Sequence, residues 1–541
     1  MVGPGSTTAP SNGSVVVSTR FTLMFEVFAE MNTTSPVCRW SELYGEHGWY
    51  LISVQSVSDQ HTRGISCTHS VDKAPVNSYI PLLVAFAILV AVTLMYFLGS
   101  FVSKLQCTEE YCHLLQHKCC FLVFHHDNSA SESTRTEVGK PKRRRLLSLD
   151  TFRGLSLTVM VFVNYGGGGY WFFEHTPWNG LTIADLVMPW FVFILGTSVA
   201  LAFSAMLRRG VTRIQLLRKM MWRTIVLLAI GVFFLNYGPA DGPLSWSWAR
   251  IPGVLQRLGF TYFTVALMQT CFSVKDVEKY QNGNWWAPVR EIVLYWPEWI
   301  IIAVLETIWL CLTFLLLVPG CPRGYLGPGG IGDDGKYPNC TGGAAGYIDK
   351  WLLGEDHIYH YPTCKELYKT TQPFDPEGVL GTINSVVMAF FGLQAGKITL
   401  LYRKQPLSIL KRFLIWAVLL GIISAILTKC TQNEGFIPVN KNLWSLSFVT
   451  TLSCFSFILL GLMFYVIDVK NWWGGQPFIY PGMNSFFVYV GHSILGSYFP
   501  FNWEMKFPDS HAEPLFQDLL GTSLWVFVAY FLYRKKFFLK I

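Results

Sequence analysis

The residues best suited to chemistry cluster in 149–198, within a chain otherwise sparing of polar groups. The stretch opens Leu149-Asp150-Thr151-Phe152-Arg153-Gly154 and runs apolar to Asn164-Tyr165. Four glycines follow at 166–169, then the aromatic run Tyr170 to Phe173, then Glu174-His175. After Trp178-Asn179-Gly180 the chain turns apolar again and carries Asp185. Imidazole has an unperturbed pKa near neutrality and suits general acid–base or acyl-carrier work, which makes His175 the leading catalytic candidate. Asp185 could orient the ring and stabilise its cation. Asn164 could donate an amide N–H to a developing oxyanion. Consecutive glycines prolong a helix poorly but let the backbone turn and a ligand approach closely. The competing reading is an aromatic-belt turn with a surface histidine and an aspartate that caps a helix.

Other polar groups fall inside apolar runs, where each ionisable side chain costs about 2.5–3.5 kcal/mol on insertion scales. Arg153 and Asn164 are eleven residues apart, roughly 16 Å along a continuous helix. That reach resembles a long cofactor arm such as pantetheine, although any membrane-spanning helix has two such ends. Arg250 and Arg257 lie seven apart in Arg-Ile-Pro-Gly-Val-Leu-Gln-Arg, close to one face of a helix. A buried Arg257 needs an anion, either a phosphate or carboxylate ligand or an internal partner such as Asp185, Glu306 or Glu377. Asn484 and His492, eight apart, form a further polar stripe.

Long apolar runs must position these groups. Of 541 residues, 51% are hydrophobic and 14% charged, against roughly 25% charged in soluble domains. That excludes a disordered or nucleic-acid-binding chain as the leading class and predicts an all-α polytopic membrane protein. Eleven spans are expected at 79–101, 151–169, 181–205, 222–239, 252–273, 296–318, 377–400, 410–428, 444–467, 475–497 and 516–533. Basic groups at 140–145, 206–223, 401–412 and 534–540 fall on one side with this count, which marks the cytosolic face. The net charge of +8 is therefore largely positive-inside bias and needs no nucleic acid.

The same count places 1–78 and the loop 319–376 outside the cytosol. Residues 1–78 read as a small, β-rich segment with strand hints at Val15 to Val17 and Phe21 to Phe28, and with no signal peptide. The glycosylation sequons at Asn12, Asn32 and Asn339 fall in those two segments, as do Cys38, Cys67, Cys321, Cys340 and Cys364. Proximity in sequence favours the pairs Cys38–Cys67 and Cys321–Cys340, and the odd fifth cysteine is left over. The first span, 79–101, leads to a cytosolic linker, 102–148. Its cysteines and histidines between Cys107 and His126 match no closed zinc spacing, so no metal is expected. Glu110 to Leu115 spells an acidic-dileucine sorting pattern. Residues 149–541 then form a ten-helix domain. The rival class is a transporter of a sugar or organic anion, and the apparent lack of an internal repeat counts modestly against inverted-repeat transporters.

Several long motifs carry a resemblance. Asp-Thr-Phe-Arg-Gly (150–154), Val-Asn-Tyr-Gly-Gly-Gly (163–168), Trp-Asn-Gly-Leu-Thr (178–182), Arg-Ile-Pro-Gly-Val-Leu-Gln-Arg-Leu-Gly (250–259), the glycine-rich 324–332 and Glu-Gly-Phe-Ile-Pro-Val-Asn-Lys-Asn-Leu-Trp-Ser-Leu (434–446) closely resemble the lysosomal heparan-alpha-glucosaminide N-acetyltransferase family from about residue 149 onward. The resemblance implies transfer of acetyl from cytosolic acetyl-CoA to the amine of a terminal glucosamine of heparan sulfate in the lysosomal lumen. It places the family's active-site histidine on His175 and its neighbouring asparagine on Asn164. Arg153, Arg250, Arg257, Asn484 and His492 become candidate cofactor-pocket residues. A homodimer is the default symmetric expectation. The departures are N-terminal, where the family's signal sequence and larger luminal domain are missing or curtailed.

Overall fold

The computed structural model describes residues 15–17, 19, 22–28, 36, 38–59, 62–106, 145–236, 245–246, 249–273, 289–507 and 510–539. The chain divides into two compact units, Met1–Gly139 and Lys140–Ile541.

In the first unit two antiparallel hairpins form. β1 (Leu23–Val27) pairs with β2 (Cys38–Glu42), and β3 (Trp49–Asp59) pairs with β4 (Thr62–Lys73). Val15 to Val17 take no part in a strand, and among the described residues of the second expected stretch Leu23–Val27 form one. So few residues bury little core, and the hairpins are cross-linked by the Cys38–Cys67 disulfide. Phe25 stacks on Trp40 beside the buried Tyr44. α1 (Ile80–Gln106) follows and exposes Leu83, Phe86, Leu89 and Met95 around its surface. An all-round apolar helix of this kind suits lipid contact.

In the second unit helices occupy the remaining expected stretches: α2 (Leu147–Tyr165), α3 (Ile183–Arg208), α4 (Arg213–Ile230), α5 (Val254–Phe272) and α6 (Trp296–Leu315). After α7 (Ala344–Leu353), in the long connection, come α8 (Val379–Leu401), α9 (Pro406–Thr428) and α10 (Leu446–Met463). α11 (Ile479–Met483), α12 (Ser485–Leu495) and α13 (Ala512–Arg534) complete the unit. Among the described residues six helical stretches are long and apolar enough to cross a membrane: α3, α6, α8, α9, α10 with its continuation to Val469, and α13. Two expectations change. The span at 475–497 is broken at Asn484, whose backbone leaves helical geometry at φ −116° and ψ 33° between two short helices. The basic loop expected at 206–223 is helical from Arg213, where Thr212 and Gln215 cap each other.

α8 is buried along most of its length and packs on α3 through small residues. Gly196 and Ala200 of α3 face Gly392 and Gly396 of α8, and the Thr197 hydroxyl donates across the contact to the Gly392 carbonyl at 2.9 Å. Small residues let two backbones approach where lipid supplies no hydrophobic drive. Lys397, on the same helix, is paired with Glu298 beneath the Tyr295 ring. Outside the helical bundle the connection 316–378 carries the Cys321–Cys340 disulfide. It leaves Cys364 as a buried thiol.

Candidate active site

The glycine run after α2 forms the site's first turn. Gly166 to Gly169 all adopt positive φ, between 59° and 131°, a conformation that other residues enter only with strain. A Cβ on Gly167 would lie 2.5 Å from that of Phe173, and one on Gly168 would lie 2.9 Å from Leu515. The Gly168 amide donates to Asp518 at 2.8 Å, and the His511 ring donates to the Gly168 carbonyl at 2.7 Å. These bonds pin the turn to the start of α13 and fix where the following residues emerge.

His175 emerges against the first turn of α3. Its Nδ1 lies 2.8 Å from Asp185 Oδ1. The other carboxylate oxygen accepts from the Thr176 amide and hydroxyl and from the Thr182 amide and hydroxyl, at 2.9–3.2 Å. Asp185 is fully buried, whereas the imidazole is 36% exposed. The aspartate therefore both caps α3 and holds His175, so two readings that competed on sequence are parts of one arrangement. A carboxylate can only accept, so this contact calls for a proton on Nδ1 and puts the basic lone pair on Nε2.

Lys441 completes the arrangement, with Nζ 2.9 Å from His175 Nδ1 and 3.6 Å from Asp185 Oδ1. With the Nδ1 proton assigned to Asp185, that nitrogen has no lone pair to accept from the ammonium, so Lys441 acts on the ring as a charge rather than as its hydrogen-bond donor. Burial, and next the Lys441 charge, lower the His175 pKa below the usual imidazole value against the opposing pull of Asp185. Lys441 is itself lowered by burial against Asp185 and Glu377. Its loop docks on the His175 loop: the Gly180 backbone amide donates to the Val439 carbonyl at 2.9 Å, and the Asn440 side-chain amide donates to the Asn179 side-chain oxygen at 3.1 Å.

Arg250 and Arg257 converge on the segment before α8. Arg250 donates to both Asp375 oxygens at 2.7–2.8 Å and to Glu377 at 2.6 Å, and those carboxylates outweigh its burial and raise its pKa. Arg257 donates to the Pro376 and Gly378 carbonyls and faces the Trp444 ring. Its buried Nε and Nη1 have no hydrogen-bond partner among the described residues. The field of Glu377 reaches His175 and Lys441.

Asn164 pairs with His492. The His492 Nδ1–H donates to the Val488 carbonyl at 3.1 Å, so Nε2 accepts from the Asn164 amide at 2.9 Å. Both line a cavity of about 260 Å³ with Tyr165, Asn502 and Gln517. Gln517 Oε1 is buried there with no partner among the described residues. The Tyr489 ring lies 5.6 Å from that of His492. Arg153, near the other end of α2, donates to Asp150 at 3.1 Å and Ser198 at 2.6 Å. Asn484 lies apart from His492's cavity and binds the C-terminal tail, donating to Phe537 and accepting from the Leu539 amide. Asn339 is exposed. Asn12, Asn32, the cysteines and histidines of 107–126 and the dileucine pattern lie outside the described residues.

Sequence reasoning passed over Lys441, Asp375, Thr176 and Gln517. One available signal was Thr182-x-x-Asp185, the pattern of a helix cap. Its spacing alone ties the two residues together.

The chain is 49% identical over 550 aligned positions to the heparan-alpha-glucosaminide N-acetyltransferase of Mus musculus, covering 99% of this chain and 83% of that protein. It is 48% identical over 554 positions to the protein of that name from Homo sapiens, covering 98% and 81%. The chain belongs to this acetyltransferase family. No family model matches it. In this heparan-alpha-glucosaminide N-acetyltransferase family member the Asp–His pair and the cavity at Asn164 are separate arrangements of polar groups.

Asp349 of α7, 1% exposed, lies next to this charge cluster and accepts from the Val379 amide at 2.8 Å. Burial and then Asp375 raise its pKa to about 7, against 3.8 for an ordinary aspartate. The folded state therefore holds a proton that the unfolded state lacks between those values. Stability falls as pH rises through that window, by at most about 4 kcal/mol. Asp349→Asn should flatten the change, so thermal melting in detergent should differ more from the parent at pH 7.5 than at pH 5. An equal difference at both pH values would remove this account.

Proposed function

We propose that this protein is a transmembrane acetyltransferase that moves acetyl from cytosolic acetyl-CoA to the amine of a terminal α-glucosamine of heparan sulfate in the lysosomal lumen. The observation that carries the reading is the His175–Asp185 contact, which puts the basic lone pair on Nε2. The relatives' names supply the acceptor. The acceptor arrives as an ammonium in an acidic lumen, and His175 Nε2 takes one of its protons. The freed amine attacks the thioester carbonyl. We assign the oxyanion to Asn164, whose amide keeps a second N–H beyond the one given to His492 and whose contacts are separate from those of His175, so the bound thioester has to reach from one group to the other. The intermediate collapses, the C–S bond breaks, and the imidazolium returns its proton to the departing thiolate. The nitrogen's remaining excess proton passes to luminal water, leaving a neutral amide and the CoA thiol. A base in an acidic compartment must stay neutral there, and the lowered pKa of His175 suits that demand.

Arg153, at the far end of α2 from Asn164, is the group we assign to the nucleotide end of the donor. Arg257 retains unpartnered N–H groups for an anion, whereas the guanidinium of Arg250 is already committed to Asp375 and Glu377. We also assign the lysosomal membrane, a luminal N-terminus, a cytosolic C-terminus, a homodimer and glycans on Asn12, Asn32 and Asn339.

Direct transfer in a ternary complex is favoured over an acetyl-imidazole, which would have to survive beside luminal water. The test uses purified protein in detergent with acetyl-CoA and a glucosamine-ended oligosaccharide, reading CoA release and N-acetylation together. Uptake of a sugar into proteoliposomes without CoA release would favour a transporter instead. Acetyl trapped on His175 by an acid quench in the absence of acceptor would overturn direct transfer.

A further inference from the structure

We propose that Lys441 is a positioning residue that keeps the His175–Asp185 pair working as a base in acid. The inference rests on the reading of His175 as the proton acceptor. An aspartate beside an imidazole ordinarily favours the imidazolium, because the negative charge stabilises the cation. A pair of that kind would be protonated, and unable to accept, in a compartment well below neutrality. A second cation within 4 Å of both partners reverses this balance, and Lys441 stands there, 2.9 Å from His175 Nδ1 and 3.6 Å from Asp185 Oδ1. Its charge offsets that of Asp185 and repels the imidazolium, so the neutral ring with Nδ1–H toward Asp185 persists to lower pH.

The placement is built. Asn440 and Asn179 form an antiparallel bridge. The Asn442 side chain donates to the Pro177 carbonyl at 3.3 Å. The Leu443 amide donates to the Asn440 side chain at 3.0 Å. Trp444 closes the turn at φ 48°, in the left-handed region, with its ring buried. A bulky non-glycine residue holds that conformation only when its surroundings enforce it. The loop thus carries Lys441 to the one point where both members of the pair are within reach.

The charges facing this group come from three further elements. Asp185 lies on α3, Glu377 precedes α8 and acts on both His175 and Lys441, and Arg257 of α5 opposes Lys441. None of the three replaces the ammonium at Nδ1.

The test compares the pH dependence of kcat/KM for CoA release in the parent, Lys441→Met, Lys441→Gln and Lys441→Arg. In parallel, the pH dependence of diethyl pyrocarbonate labelling of His175 is read by peptide mass spectrometry. Removing the cation should move the acid-side midpoint up by about one unit, with the labelling midpoint moving alike. The deficit against the parent should then be larger at pH 5 than at pH 7, by a factor of up to about ten. Lys441→Arg, which keeps the charge, should keep the parent midpoint. Equal losses at every pH with an unmoved labelling midpoint, or an arginine variant that shifts like the methionine one, would overturn the proposal. If one neutral variant does not fold, the other carries the comparison. His175→Ala serves as the reference: full turnover there would sink the functional reading, while the labelling midpoints would still decide the role of Lys441.

Discussion

Replacing His175 with alanine is expected to lower kcat for acetyl transfer by about 10²–10⁴-fold while leaving the fold intact. The imidazole is partly exposed, and the α3 cap is made by Asp185 with Thr182 rather than by His175. A detergent melting curve should therefore stay within a few degrees of the parent. Asp185→Asn should differ in a diagnostic way. An amide in its place can donate to Nδ1 and stabilise the wrong tautomer, so kcat falls by up to about 10⁴-fold. It also weakens the cap of α3, so stability falls by about 1 kcal/mol. The measurement is CoA release at saturating acetyl-CoA and acceptor, together with melting of each variant. Near-parental turnover by His175→Ala would remove the histidine from the chemistry.

The second large effect is structural. Gly392→Val should prevent the second unit from assembling. A Cβ at Gly392 would lie 1.9 Å from the Phe193 carbonyl oxygen, and one at Gly196 would lie 1.8 Å from that of Ala389. These neighbours are backbone, so they cannot swing aside as a flexible side chain could. α3 and α8 would have to separate, breaking the bond from Thr197 to Gly392 and displacing Asp185 at the head of α3. The cost belongs among the exceptional core substitutions, above about 4 kcal/mol. Gly259→Ala is the contrasting case. It meets side-chain carbons at 3.7 Å, an ordinary contact, and gains up to about 1 kcal/mol of helix propensity. Size-exclusion profiles in detergent check both: a monodisperse Gly392→Val protein would refute the packing argument.

Much of the architecture was legible because lipid imposes a local rule. A spanning helix must satisfy its own backbone and present about 20 apolar residues, so its signal lies wholly within its own sequence. Helices therefore occupy the expected stretches, and six of them meet the length and composition of a span. The exceptions are a helix break at Asn484 and a capped, charged start at Thr212. Both disulfides favoured from proximity form, since short separations leave few alternatives. His175 and Asp185 were nominated together because only ten residues and one turn separate them.

Which charge answers which lay beyond the sequence. Lys441 is 266 residues from His175, Asp375 is 125 from Arg250, and His492 is 328 from Asn164. No periodicity spans such distances. The eight-residue spacing of Asn484 and His492 suggested a common stripe, yet the helix breaks between them and Asn484 turns to the C-terminal tail. Arg250 was a candidate cofactor-pocket residue, and packing committed its guanidinium to two carboxylates. By itself the sequence determined the membrane helices, the glycine turn, the histidine with its aspartate, and the family. Tertiary structure alone decided the partners of the buried charges. A buried ion is stable only when a counter-charge is carried to it, and how helices and loops pack, not their order along the chain, determines which one arrives.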